Sequence, residues 1–175
     1  MAKPKIYVVE GDITQIPADA LMTAINSLGM WFGGIDGAIQ RVAGNLYHNQ
    51  VLQATPLSDL QTVVARGGAR PDRKIGFRDV VFVVDDLKSP LEKVVYAGLE
   101  TANDEGYKSL LIPTIRMGVM AGDRETPKQA VRKLADGLSD FVSRYSGRTK
   151  LEDIKVVVYD NPDLAKNISS VLGKI

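Results

Sequence analysis

The sequence contains no cysteine and a single histidine, His48. The first absence excludes disulfides, thiolate nucleophiles and cysteine-type zinc sites. The second removes multi-histidine metal centres and most imidazole-based general-base schemes. Neither sign of charge dominates, since 22 Lys and Arg face 21 Asp and Glu for a net charge of +1. A protein that works mainly on a phosphate backbone is normally far more basic, so nucleic acid is not an expected partner. No apolar run approaches the ~20 residues of a membrane span. The start Met1–Lys5 leads straight into a strand-like segment without the apolar stretch of a secretory signal. These features lead us to expect a cytoplasmic monomer with no membrane partner.

What is present suits an ordinary core. The chain has 175 residues, of which 45% are hydrophobic and 25% charged, which fits one domain over 1–175. Short β-branched runs read as strands at Ile6–Val9, Ala20–Ile25, Thr62–Ala65, Val80–Val84, Leu110–Ile112 and Ile154–Tyr159. Several are apolar throughout, as strands buried on both faces should be. Helical patterns lie between them. One runs from Asp36 through Ile39, Val42 and Ala43. A second follows Ser89-Pro90-Leu91-Glu92, with Ser89 as expected N-cap and Gly106 as stop. A third follows Thr126-Pro127-Lys128-Gln129 and carries the stripe Val131, Leu134, Leu138, Phe141, Val142. A last one starts at Asn161-Pro162. Such alternation predicts an α/β protein: a three-layer α/β/α sandwich on a mixed, largely parallel sheet of about six strands. The stretch Gly67–Lys74 reads as an open loop, and Arg66, Arg70, Arg73 and Lys74 as its solvated basic cluster.

Two strand-to-helix connections are rich in glycine, Asn26–Gly37 and Thr114–Gly122. Glycine allows backbone N–H groups to approach a ligand, and a helix N-terminus favours anions. Ligands in open α/β sheets bind outside the carboxyl ends of the strands. A dinucleotide fingerprint fails because Phe32 occupies its first glycine position, and no Walker-type loop is present. On spacing alone, a phosphate cradle and a pair of tight turns both remain open.

A family resemblance is carried by residues that keep both order and spacing. They are Gly11-Asp12-Ile13-Thr14, Ala18-Asp19-Ala20-Leu21, Asn26, Gly33-Gly34-Ile35-Asp36-Gly37-Ala38-Ile39 and Ala43-Gly44. The likeness continues at Ser109–Pro113 with Gly118-Val119 and at Ile154–Tyr159. The chain resembles a macro domain, the ADP-ribose-binding module. It is most similar to the MacroD-type hydrolases, whose motif sets an Asn at a strand end and an Asp ten positions later, as Asn26 and Asp36 are here. The resemblance implies binding of ADP-ribose and hydrolysis of an ester on its distal ribose, in O-acetyl-ADP-ribose or ADP-ribosylated Asp and Glu. It implies no cofactor and no metal. Asp12 then accepts from the adenine amino group, with the Ile13 amide beside it. Asn26 serves the ribose hydroxyls and forms the catalytic pair with Asp36, which activates water. Gly33, Gly34 and Ile35 line the diphosphate from one side, and Gly118, Val119 and Met120 from the other. Asn161, near Tyr159, lies where the family stacks a residue on adenine.

Each residue has a plainer role open to it: a turn for Asp12, a strand-end cap for Asn26, helix N-caps for Asp36 and Asn161, a simple turn for Gly118. His48 reads as structural or surface. The chain departs from the family pattern at Met30-Trp31-Phe32, at Thr23 in place of Asn, and at Gln40 in place of His. It departs again across Arg116–Ala121, where the family has Ser-Thr-Gly-Val-aromatic-Gly. Two alternatives to an enzyme therefore stand beside it: a non-catalytic ADP-ribose reader and a degenerate macro fold used for protein interaction.

Overall fold

The computed structural model describes residues 3–30, 34–68, 75–118 and 121–175. The expected Gly33, Val119 and Met120, and Trp31, Phe32, Arg70, Arg73 and Lys74, lie outside the described residues. Six strands form one sheet: β1 (Lys5–Glu10), β2 (Ala18–Ile25), β3 (Thr62–Ala65), β4 (Phe77–Val84), β5 (Ser109–Pro113) and β6 (Asp153–Val158). Their order is β1-β6-β5-β2-β4-β3. Every pairing is parallel except β3 against β4. The helices are α1 (Ile35–Ala43), α2 (Leu46–Gln53), α3 (Leu91–Asp104), α4 (Pro127–Arg144) and α5 (Pro162–Leu172). This is the mixed, largely parallel sandwich that the alternating pattern predicts.

The two central strands show why the sheet is buried on both faces. Along β2, Ala20 and Met22 point into the core shared with α3, α4 and α5, and Leu21 and Ile25 into the core under α1 and α2. β4 alternates in the same way, with Val81 and Val83 on one side and Val80, Phe82 and Val84 on the other. Gly98 lets α3 lie close on β2, since a Cβ there would fall 1.8 Å from the Met22 sulfur. Tyr47 bolts α2 to β4 by donating to the Arg78 carbonyl at 2.7 Å.

Two local expectations differ from the structure. The third helix begins at Leu91 with Pro90 as its N-cap and no side-chain cap. Ser89 instead donates its hydroxyl to Asp59 at 2.6 Å. A long-range carboxylate acceptor has outcompeted the helix end for that hydroxyl. Arg66 is not a freely solvated loop cation either: its guanidinium meets Glu105 at 2.7 Å and Asp79 at 3.6 Å. The Thr126–Gln129 capping box forms as the sequence predicts, with both reciprocal bonds present. Among the described residues, no helix is long and apolar enough to cross a membrane.

Candidate active site

The carboxyl ends of the five parallel strands open onto one cavity of about 710 Å³. That volume lies within the range of roughly 300–1,000 Å³ usual for small-molecule sites. Three segments build most of its wall: Gly11–Ile13 after β1, Gly34–Ala38 at the start of α1, and Pro113–Arg116 with Gly118 after β5. A parallel sheet sends each strand's carboxyl end to the same edge, so connections far apart in sequence meet there.

The β1 end carries Asp12. Its Oδ1 accepts from the Thr14 amide at 3.0 Å and the Thr14 hydroxyl at 2.7 Å, capping the single 3-10 turn Ile13–Gln15. The turn role is therefore realised, and the residue still lines the cavity with its side chain exposed. Both bonds fall on one oxygen, which leaves the second lone-pair-rich oxygen for a ligand donor. Ile13 is buried beside it and lines the same wall.

At the start of α1, Gly34 holds φ 54°, a left-handed value suited to glycine, and occupies the N-cap. No side chain caps this helix. A helix start directs its leading amides and the positive end of its dipole toward an anion. Asp36 sits inside the first turn rather than at the cap, so the N-cap alternative for it does not hold. It lines the cavity yet is only 1% exposed. Its Oδ1 lies 3.5 Å from Nε2 of His48, also 1% exposed. His48 is thus a buried residue packed against a site carboxylate.

Across the cavity, Arg116 replaces the small polar residue of the family pattern and adopts φ 62°. Its guanidinium donates to both oxygens of Asp85 at 3.0 and 2.6 Å, to Glu125 at 2.6 Å and to the Ser89 carbonyl at 2.8 Å. Burial disfavours the charged guanidinium, but Asp85 and Glu125 outweigh it and hold the Arg116 pKa above its ordinary value. Burial likewise pushes the Glu125 carboxyl up, and Arg116 with Lys133 brings it net below the usual carboxylate range. Gly118 is exposed on this rim; a Cβ there would meet nothing within 4 Å. Among the described residues, neither space nor backbone geometry demands a glycine at that position.

Not every sequence-derived candidate reaches the cavity. Asp12, Ile13, Gly34, Ile35, Asp36 and Gly118 line it; Asn26 and Asn161 do not. Asn26 accepts on Oδ1 from the Leu28 and Met30 amides at 3.1 and 2.9 Å, the strand-end turn that was its plainer role. Asn161 is the N-cap of α5, accepting from the Leu164 amide at 3.1 Å, while Tyr159 takes its place on the cavity wall. Thr23, Arg41, Asp85 and Arg116 line the cavity without having been singled out for it. The departure from the family pattern at Thr23 and Arg116 was the available signal for two of them.

Comparison with known proteins places this geometry. No family model matches the chain. It is 32% identical over 172 residues to an O-acetyl-ADP-ribose deacetylase of Escherichia fergusonii, covering 90% of each protein. Among solved structures, a Trypanosoma brucei macrodomain in complex with ADP-ribose aligns with TM-score 0.77 at 23% identity, over 98% of this chain and 69% of that one. An Oceanobacillus iheyensis macrodomain aligns with TM-score 0.79 at 19% identity, over 98% and 92%. The backbone agreement gives the fold, and the identity sustained along both sequences gives the kinship: the chain belongs to the macrodomain family, alongside the bacterial O-acetyl-ADP-ribose deacetylases.

Proposed function

We propose that the protein binds ADP-ribose in this cavity and hydrolyses esters on its distal ribose, with O-acetyl-ADP-ribose as the first substrate to test. The observation that carries the reading is the convergence of Asp12, the uncapped start of α1 and Asp36 on one cavity. A nucleotide diphosphate needs those three things: an acceptor for the adenine amino group, amides for the pyrophosphate and a group to act on the far ribose. The family relationship supports the same assignment.

In this reading Asp12 accepts from adenine through its second oxygen. The amides of Gly34 and Ile35 grip the diphosphate, and Gly118 allows the ligand to approach from the other rim. Asp36 orients a water for attack on the ester carbonyl. The new C–O bond forms to water, the C–O bond to the ribose oxygen breaks, and acetate leaves as the ribose hydroxyl regains its proton. Asp36 acts here by position. Its contribution comes mainly from placing the water, an advantage that alignment in a confined site can make large.

The test pairs binding with turnover. Asp36→Ala should lower kcat on O-acetyl-ADP-ribose by about 10²-fold or more, the lower bound for losing a general base. ADP-ribose affinity, measured by calorimetry, should stay close to the parent's. Equal rates for parent and variant remove Asp36 from the chemistry. The reader alternative has one observation in its favour: Asn26 Oδ1 is committed to its turn. It predicts tight ADP-ribose binding with no ester turnover in either protein.

A further inference from the structure

His48 stands behind the cavity wall rather than in it. It belongs to α2, and its ring lies edge-on to Phe82 of β4, with centroids 5.0 Å apart and planes at 72°. The adjacent Tyr47 anchors the same turn of helix to β4 through the Arg78 carbonyl. The imidazole is therefore clamped by packing on one side and presents Nε2 to Asp36 Oδ1 on the other, at 3.5 Å. Both side chains are 1% exposed, and Oδ1 is sealed from solvent. Asp36 thus both meets His48 and lines the cavity.

A carboxylate oxygen can only accept, so the nitrogen that faces it must carry a proton to make a favourable contact. The separation of 3.5 Å is longer than a formed hydrogen bond, as catalytic contacts often are before substrate closes the site. We infer that His48 is a positioning residue for Asp36: its Nε2–H donates to Oδ1 and fixes the rotation of the carboxylate at the cavity wall. Loss of that donor removes one constraint on the carboxylate, and any water it holds loses alignment. His48 lies on α2 and Asp36 on α1, so the imidazole comes from the neighbouring helix. The consequence for turnover rests on the hydrolytic reading; the contact itself does not.

Two measurements separate those statements. His48 is the single histidine, so a long-range 1H–15N spectrum of the labelled protein reports one imidazole. Nε2 should be the protonated nitrogen in the parent, with its signals moving in Asp36→Ala. A bare Nε2 with the proton on Nδ1 overturns the inference. In kinetics, His48→Leu should lower kcat on O-acetyl-ADP-ribose about tenfold or more while the ADP-ribose Kd changes less than about twofold, a part of the general-base contribution. His48→Gln, whose amide N–H can reach the same point, should recover most of that loss and guards against a leucine variant that misfolds. Parental kcat in His48→Leu, or equal losses of kcat and affinity in both variants, overturns the inference. Absence of ester turnover in the parent defeats the functional reading instead, and the proton on Nε2 still decides the contact.

Discussion

The two rims of the cavity are built on opposite plans. On the α1 rim a cavity-lining carboxylate, Asp36, lies in the first turn of a helix whose N-cap is a glycine, 3.5 Å from the His48 imidazole. On the β5 rim a guanidinium makes four hydrogen bonds and ties together the ends of β4 and β5 and the starts of α3 and α4. The first arrangement leaves polar capacity for a ligand. The second consumes it, since Arg116 spends its donors on Asp85, Glu125 and Ser89. Arg116 also holds a left-handed backbone, which costs a non-glycine residue of order 1–3 kcal/mol unless its surroundings over-determine it. The β5 rim is thus a structural clamp, and the proposed function places binding and chemistry opposite it.

The contrast can be broken most forcefully at Arg116. Arg116→Met should destabilise the fold by about 3–5 kcal/mol in urea denaturation at pH 7, because buried Asp85 loses its guanidinium partner and buried Glu125 keeps only Lys133. A loss below about 1 kcal/mol would show that the clamp is dispensable. The second test concerns binding on the other rim. Asp12→Ala should weaken ADP-ribose binding by about 1–3 kcal/mol, the range for a charged hydrogen bond, with little change in stability beyond the lost 3-10 cap.

Acid sharpens the comparison further. Glu125 is held below the usual carboxylate range in the folded state, so its stabilising contribution is full above the unfolded value near ~4.3 and is lost as pH falls through the folded one. In Arg116→Met the raising effect of burial is no longer opposed by the guanidinium. The penalty of that variant should therefore shrink between about pH 5 and pH 3, which paired denaturation curves would detect. The smallest effect is expected at Gly118, where a methyl group meets open space. Gly118→Ala should change stability by less than about 0.5 kcal/mol. Any weakening of ADP-ribose binding in that variant then reports ligand approach alone, and unchanged affinity removes Gly118 from the site.

Much of this architecture was legible beforehand because its signals are local. Alternating apolar runs identified all six strands to within a few residues, and the Thr126–Gln129 box marked the start of α4. Asp36 was recognisable from a motif that spans one loop. The roles of Asn26 and Asn161 were less so, because an Asn that caps a turn and an Asn that meets a ligand look alike in one dimension. Ser89 shows the same limit: its capping pattern was intact, but Asp59, thirty residues away, claimed the hydroxyl.

Short-range chemistry along the chain settled the strands, four of the five described α-helices and the glycine-bearing turns, because hydrophobic period and backbone preference act over a few residues. Three-dimensional packing alone chose which charges meet. Arg116 finds Asp85 across 31 residues, and His48 reaches Asp36 from a separate helix. Such pairs exist only after the parallel sheet has brought its strand ends together, since burial then makes any unpaired charge too costly to leave.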